Sequence, residues 1–143
     1  LDGRAVSAPA ADHVTARTAL RRGEVPVMGG TEAGHTTDAV ATVLAEYVDA
    51  DLLVYATSVP GVFDADPEAD PEASKFGQIG VDDLVALAAE MDIDAGSNAP
   101  VDLLAAKLLQ RAGLRAVVLD GSDPEAVVAA VDGEHSGTDI EPR

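Results

Sequence analysis

Residues 29–38 read GGTEAGHTTD, so that glycine turns, threonine hydroxyls and a closing carboxylate stand between an apolar run and an amphipathic one. A helix that starts here exposes backbone N–H groups without intrahelical partners, and its dipole favours an anion at that end. Gly29, Gly30 and Gly34 let the backbone approach a ligand closely. Thr31, Thr36 and Thr37 add hydroxyl donors, and Asp38, in the first helical turn, is suited to orient a cation or a water rather than to touch phosphate. The stretch fits neither the P-loop pattern nor the dinucleotide fingerprint. An ordinary loop ending in an N-cap has the same composition, so phosphate binding and capping both stand at this point. A second group, TSVPGVFDADP over residues 57–67, follows the apolar run LLVYA directly. Thr57 and Ser58 at a strand end, a glycine turn, the ring of Phe63 and the carboxylate of Asp66 suit a nucleoside: the ring faces a base and the aspartate reaches a ribose or a metal. A purely structural loop gathers the same residue types. Asp64, Asp66, Glu68 and Asp70 alternate as in a calcium loop, but the glycine and glutamate that an EF-hand needs at its sixth and twelfth places are missing.

The elements that must position these groups are readable from periodicity. Helices are expected over residues 13–22, 38–48, 81–91 and 101–112, and from Pro124 to about Val131, the last opened by the cap and proline of Ser122-Asp123-Pro124. Short apolar runs at residues 25–28, 52–56 and 115–119 read as buried strands, and residues 137–140 as a short closing strand. Residues 57–80 read as one long polar connection. Strands alternating with helices predict an α/β fold, a three-layer α/β/α sandwich on a mainly parallel sheet, with ligands beyond the carboxyl ends of the strands. Both motifs fall there. The first helix has no strand before it to complete that edge of the sheet, so the 143 residues read as a single domain from which an N-terminal part is missing.

Composition limits the partners. There is no cysteine, which excludes disulfides and thiolate metal sites. With 26 acidic against 9 basic residues the formal net charge is −17, a surface that repels nucleic acid and anionic membranes. The acids recur along the whole length in a chain that is 47% hydrophobic, which argues for a folded domain adapted to a salt-rich cytosol rather than for a disordered acidic tail. No apolar run approaches the roughly 20 residues that span a bilayer, and the reading is a soluble cytoplasmic protein. His35 lies in the first motif as a phosphate, base or solvent contact; His13 and His135 have no partner at ligand spacing, and no metal site is expected. Gly96-Ser97-Asn98 reads as a simple turn and N-cap, with a further ligand-side loop as the alternative.

Taken in order, GHTTDA at residues 34–39, ATSVPGVFDADP at residues 56–67 and DLLAAK at residues 102–107 resemble the amino acid kinase family, in particular its archaeal-type uridylate kinases. The resemblance implies transfer of a phosphoryl group from ATP to UMP, with Mg2+. It places UMP on Thr31, Glu32, Ala33, Gly34, His35, Thr36 and Thr37, with Thr36 and Thr37 near the acceptor phosphate. It places ATP on Thr57, Ser58, Phe63 and Asp66, and makes Asp38 the carboxylate that organises the cationic catalytic groups. It also implies a homo-oligomer, commonly a hexamer. Ser58, Pro60 and Phe63 depart from the usual amide, acidic and tyrosine residues, which bears on nucleotide preference. Only Lys75 and Lys107 are lysines, and neither sits in a phosphate-clamping motif, so the chain corresponds to the C-terminal three-fifths of a family member and is not expected to be a competent kinase alone. On the same fold the alternatives are a kinase for acetylglutamate, aspartate or isopentenyl phosphate, and a non-catalytic nucleotide-binding or storage module.

Overall fold

A computed structural model describes residues 3–31, 33–93 and 99–143. The helices are α1 (His13–Arg21), α2 (Thr37–Tyr47), α3 (Val81–Ile93), α4 (Leu103–Ala112) and α5 (Pro124–Val131); the strands are β1 (Leu53–Thr57), β2 (Gln78–Gly80), β3 (Ala116–Asp120) and β4 (Thr138–Glu141). The strands form one sheet in the order β1-β3-β4-β2. β1 runs parallel to β3 and β2 parallel to β4, while β3 and β4 are antiparallel, which makes the sheet mixed with a parallel majority.

Alternation along β3 explains the layers. Ala116 and Val118 face one side with Tyr55 and Ile140, against Ala39 of α2, Leu84 and Ala88 of α3 and Ala105 and Leu109 of α4. Val117 and Leu119 face the other, against Ala130 and Val127 of α5. Every apolar residue of β3 is therefore buried, as a strand covered on both faces requires. The three-layer α/β/α expectation holds.

Two expectations need correction. Residues 25–28 do not join the sheet: Val25 makes only an isolated parallel bridge to Ala5, and Val25 and Val27 are exposed. Their apolar run reads as a strand, but among the described residues it has one short neighbour instead of two covered faces. The short strand expected at residues 137–140 is present as β4 (Thr138–Glu141). β4 lies inside the sheet, between β3 and β2, with Thr138 and Ile140 buried. Finally, the polar connection contains β2, three residues too short and too polar to show a period. The turn expected at Gly96-Ser97-Asn98 lies outside the described residues.

Thr138 links the long connection to the sheet. Its hydroxyl accepts the Val62 N–H at 2.9 Å and donates to the Phe76 carbonyl at 2.6 Å. Gly61, with φ of 154°, passes so close that a Cβ built there would lie 2.5 Å from that hydroxyl oxygen. Gly61→Ala is expected to destabilise the fold by about 2 kcal/mol or more, through backbone strain and displacement of Thr138, read from denaturant unfolding at high salt. An unchanged midpoint would contradict this packing.

Candidate nucleotide site

Local capping determines where the first motif sits. Gly34 turns the chain with φ of +81°, a conformation that favours glycine, and Thr36 then stands as the N-cap of α2. The Thr36 hydroxyl oxygen accepts the Ala39 N–H at 3.1 Å and gives its own proton to Oδ2 of Asp102. Asp102 is in turn the N-cap of α4, its Oδ1 accepting the Ala105 N–H at 3.0 Å. The starts of α2 and α4 are thus tied together. Asp102 was expected inside the α4 helix and instead precedes it. Sequence reasoning left it without a role, although an aspartate just ahead of LLAAK is a capping signal.

Asp38, in the first turn of α2, is half-buried, and its carboxyl is held above the ordinary carboxylate range by burial first and by the like charge of Asp102 second. Beneath it the Thr42 hydroxyl donates to the Asp38 carbonyl at 2.7 Å and meets the Tyr55 hydroxyl of β1 at 2.6 Å. Burial pushes the Tyr55 hydroxyl up, with Asp38 and Asp102 adding to it and the Thr42 bond opposing. Ala33, Gly34, His35, Thr36 and Thr37 are all exposed, forming an open rim at the α2 N-terminus. Thr31 is half-buried, and its hydroxyl has no protein partner among the described residues. Glu32 lies outside the described residues.

The second motif folds back on itself. Phe63 pairs with Lys75 in an antiparallel bridge, and Ser58, Phe63 and Asp66 line a cavity of about 140 Å³ with Gly61, Met91 and Pro100. Thr57 is not among the lining residues. Its hydroxyl holds the turn after β1, accepting from the Val59 N–H at 3.1 Å and donating to the Val59 carbonyl at 2.9 Å. The carboxylates that alternate through this loop are engaged by local backbone: Asp64 accepts from Ser74, Asp66 from Glu68 and Asp70 from Glu72. They shape turns and do not converge. Among the described residues no three acidic or histidine side chains gather to hold a metal ion.

The two motifs meet through the segment before α4. Pro100 lines the cavity, and Asp102, only two residues on, holds Thr36. Two residues span at most about 7 Å, so the cavity and the α2 N-terminus are adjacent. The lysines do not enter either place. Lys75 Nζ donates to the Ser136 carbonyl, and Lys107 is exposed on α4. His13 sits edge-on to Tyr47 at the far end of α2, 6.3 Å between ring centres. His135 does have an acidic neighbour, contrary to expectation, with Nε2 lying 3.5 Å from Asp139.

Residues 4–120 match the amino acid kinase family model. The uridylate kinase of Haloarcula marismortui is 59% identical over 143 residues, covering 99% of this chain and 63% of that protein. That of Natronomonas pharaonis is 58% identical, again over 99% of this chain and 63% of the relative. The crystal structure of uridylate kinase from Archaeoglobus fulgidus superposes with a TM-score of 0.86 at 39% identity, over 96% of this chain and 62% of that one. The chain therefore spans somewhat under two thirds of the length of the relatives it matches.

Proposed function

Because this chain belongs to the amino acid kinase family, we propose that the protein containing it transfers the γ-phosphoryl group of ATP to UMP, giving UDP and ADP. The observation that carries this reading is the adjacency of two unlike features: a ring-and-carboxylate cavity at Ser58, Phe63 and Asp66, and the exposed rim of Thr36 and Thr37 at the start of α2, whose N–H groups favour an anion. Phosphoryl transfer asks a protein mainly to position donor and acceptor and to gather positive charge around the moving group. In this reading ATP occupies the first pocket, with Thr57 holding its rim. UMP occupies the second, its phosphate on Thr37 and the N–H groups of α2, with Thr31, Ala33, Gly34 and His35 along it and Glu32 and Thr36 flanking. Asp38 orients the cationic groups, and magnesium accompanies the ATP phosphates. A hexameric assembly and a cytoplasmic location complete the proposal. No described helix is long and apolar enough to cross a membrane.

Lysines for a phosphate clamp are short in these 143 residues, since Lys75 is tied to Ser136 and Lys107 is exposed on α4. We therefore place the missing phosphate-clamping groups in the part of the relatives that this chain does not match, and expect residues 1–143 alone, the C-terminal portion of the domain, not to turn over.

The test uses the protein expressed from its complete reading frame, at molar salt with ATP and Mg2+, against UMP, CMP, acetylglutamate, aspartate and isopentenyl phosphate. UDP is the expected product; turnover of acetylglutamate without UMP would sink the assignment. Thr37→Val is expected to weaken UMP binding about 10- to 100-fold, the worth of a hydrogen bond to a charged group, measured by calorimetry. Unchanged affinity would remove the acceptor assignment from residues 31–37.

A further inference from the structure

Asp102 lies outside the glycine-threonine motif, yet both of its carboxylate oxygens act on the site: one holds the Thr36 hydroxyl and the other caps α4. A threonine hydroxyl has one proton to give. Thr36 gives it to Asp102 while its oxygen receives the Ala39 N–H, so both functions of that hydroxyl are engaged. We infer that Asp102 is a positioning residue for the acceptor end of the site: it fixes Thr36 as the cap of α2, keeps that hydroxyl from the acceptor phosphate, and sets the charge beside Asp38. The inference rests on the kinase reading given above.

Donor duty toward the acceptor then falls on Thr37, exposed one residue further on, and on the unpaired N–H groups of the first turn of α2. Asp102 also puts a second negative charge beside Asp38, which contributes to holding the Asp38 carboxyl above its usual range. Among the described residues the charged and titratable groups around Asp38 are few, with His35 exposed three residues before it. Asp102 faces it from the start of α4 and Tyr55 from β1; Lys107 is exposed more than a turn along α4, and His13 and Arg17 of α1 contact Tyr47 at the opposite end of α2. A carboxylate pair at the mouth of a phosphate-binding helix draws in cations and repels an uncompensated anion, so Asp102 favours an acceptor that arrives with its charge balanced.

Asp102→Asn is the informative substitution, because asparagine caps a helix as well as aspartate does while removing the charge and the strong acceptor for Thr36. In the full-length protein at molar salt, kcat with UMP is expected to fall about 10-fold with the thermal midpoint nearly unchanged, and the acid limb of the kcat–pH profile is expected to move to lower pH as Asp38 loses its like-charged neighbour. A merely structural cap would leave both kcat and that limb where they were, and such a result overturns the proposal. Thr36→Val provides the second arm. If Asp102 acts through Thr36, the double variant loses no more kcat than the worse single variant, whereas a loss equal to the product of the two overturns the link. Should the parent act on another acceptor instead of UMP, the same ratios measured with that acceptor still decide the role of Asp102, and only the substrate assignment fails.

Discussion

Transferred from molar potassium chloride into buffer at about 0.01 M ionic strength, the chain is expected to unfold, with loss of its helical circular dichroism signal and recovery when salt is restored. The cause is a net charge of −17 on 143 residues. A domain of this length has a radius of gyration of roughly 14 Å. At ~1 M salt the screening length is about 3 Å, so each carboxylate feels only immediate neighbours; at ~0.01 M it is about 30 Å, and the whole set repels across the molecule. Little stands against this, because the arginine ion pairs among the described residues, Arg111 with Glu46 and Arg143 with Asp82, are exposed, and such pairs contribute at most about 1 kcal/mol each. The haloarchaeal source of the two relatives described above fits the same account. Full stability at low ionic strength would refute it.

Asp38→Asn is expected to do two opposite things. In the full-length protein it lowers kcat by on the order of 100-fold or more, because an amide cannot hold the cationic groups that the transferred phosphoryl requires. At neutral pH it also raises the thermal midpoint. The sign follows from the native environment: burial and then Asp102 raise the Asp38 carboxyl above its ordinary value, so the folded state favours the protonated form. The stability this provides is fully present below the unfolded-state pKa and is lost as pH rises through the higher folded-state value. Placement in the first turn of α2 works the other way through the helix dipole, but the raised value shows that burial and repulsion outweigh it. The gain in midpoint from asparagine is therefore expected at pH 7 and should shrink as pH falls through that window. Melting curves from pH 7 to pH 4 test it, and an asparagine variant less stable at pH 7 would contradict the assignment of Asp38 as a strained functional group.

Much of this arrangement was readable in the residues because it rests on local signals. Thr36 and Asp123 announce helix starts, Gly113 ends α4 in a left-handed turn, and the apolar runs at β1 and β3 leave their mark as buried strands. What was not readable depends on pairs far apart in the chain. Asp102 and Thr36 are separated by 66 residues, and no local pattern states that two helix caps share a proton. The carboxylates of Asp64, Asp66 and Asp70 are a local case: their spacing already failed the calcium-loop pattern, and their oxygens are taken by N–H groups two to ten residues away. Residues 25–28 misled in the other direction, since an apolar run shows a preference for burial without supplying the neighbours that bury it.

The place of β4 inside the sheet has a consequence for how the molecule comes into being. Val62, next to the cavity residue Gly61, is pinned by Thr138, a partner 76 residues later in the chain, and β2 has its place in the sheet through β4. On the ribosome, β1, α2 and the loop that holds Phe63 emerge long before that partner does. The nascent chain can thus shape the start of α2 early, from Thr36 and its first turn, but it completes the Phe63 cavity only once residues 138–141 have taken their place between β3 and β2.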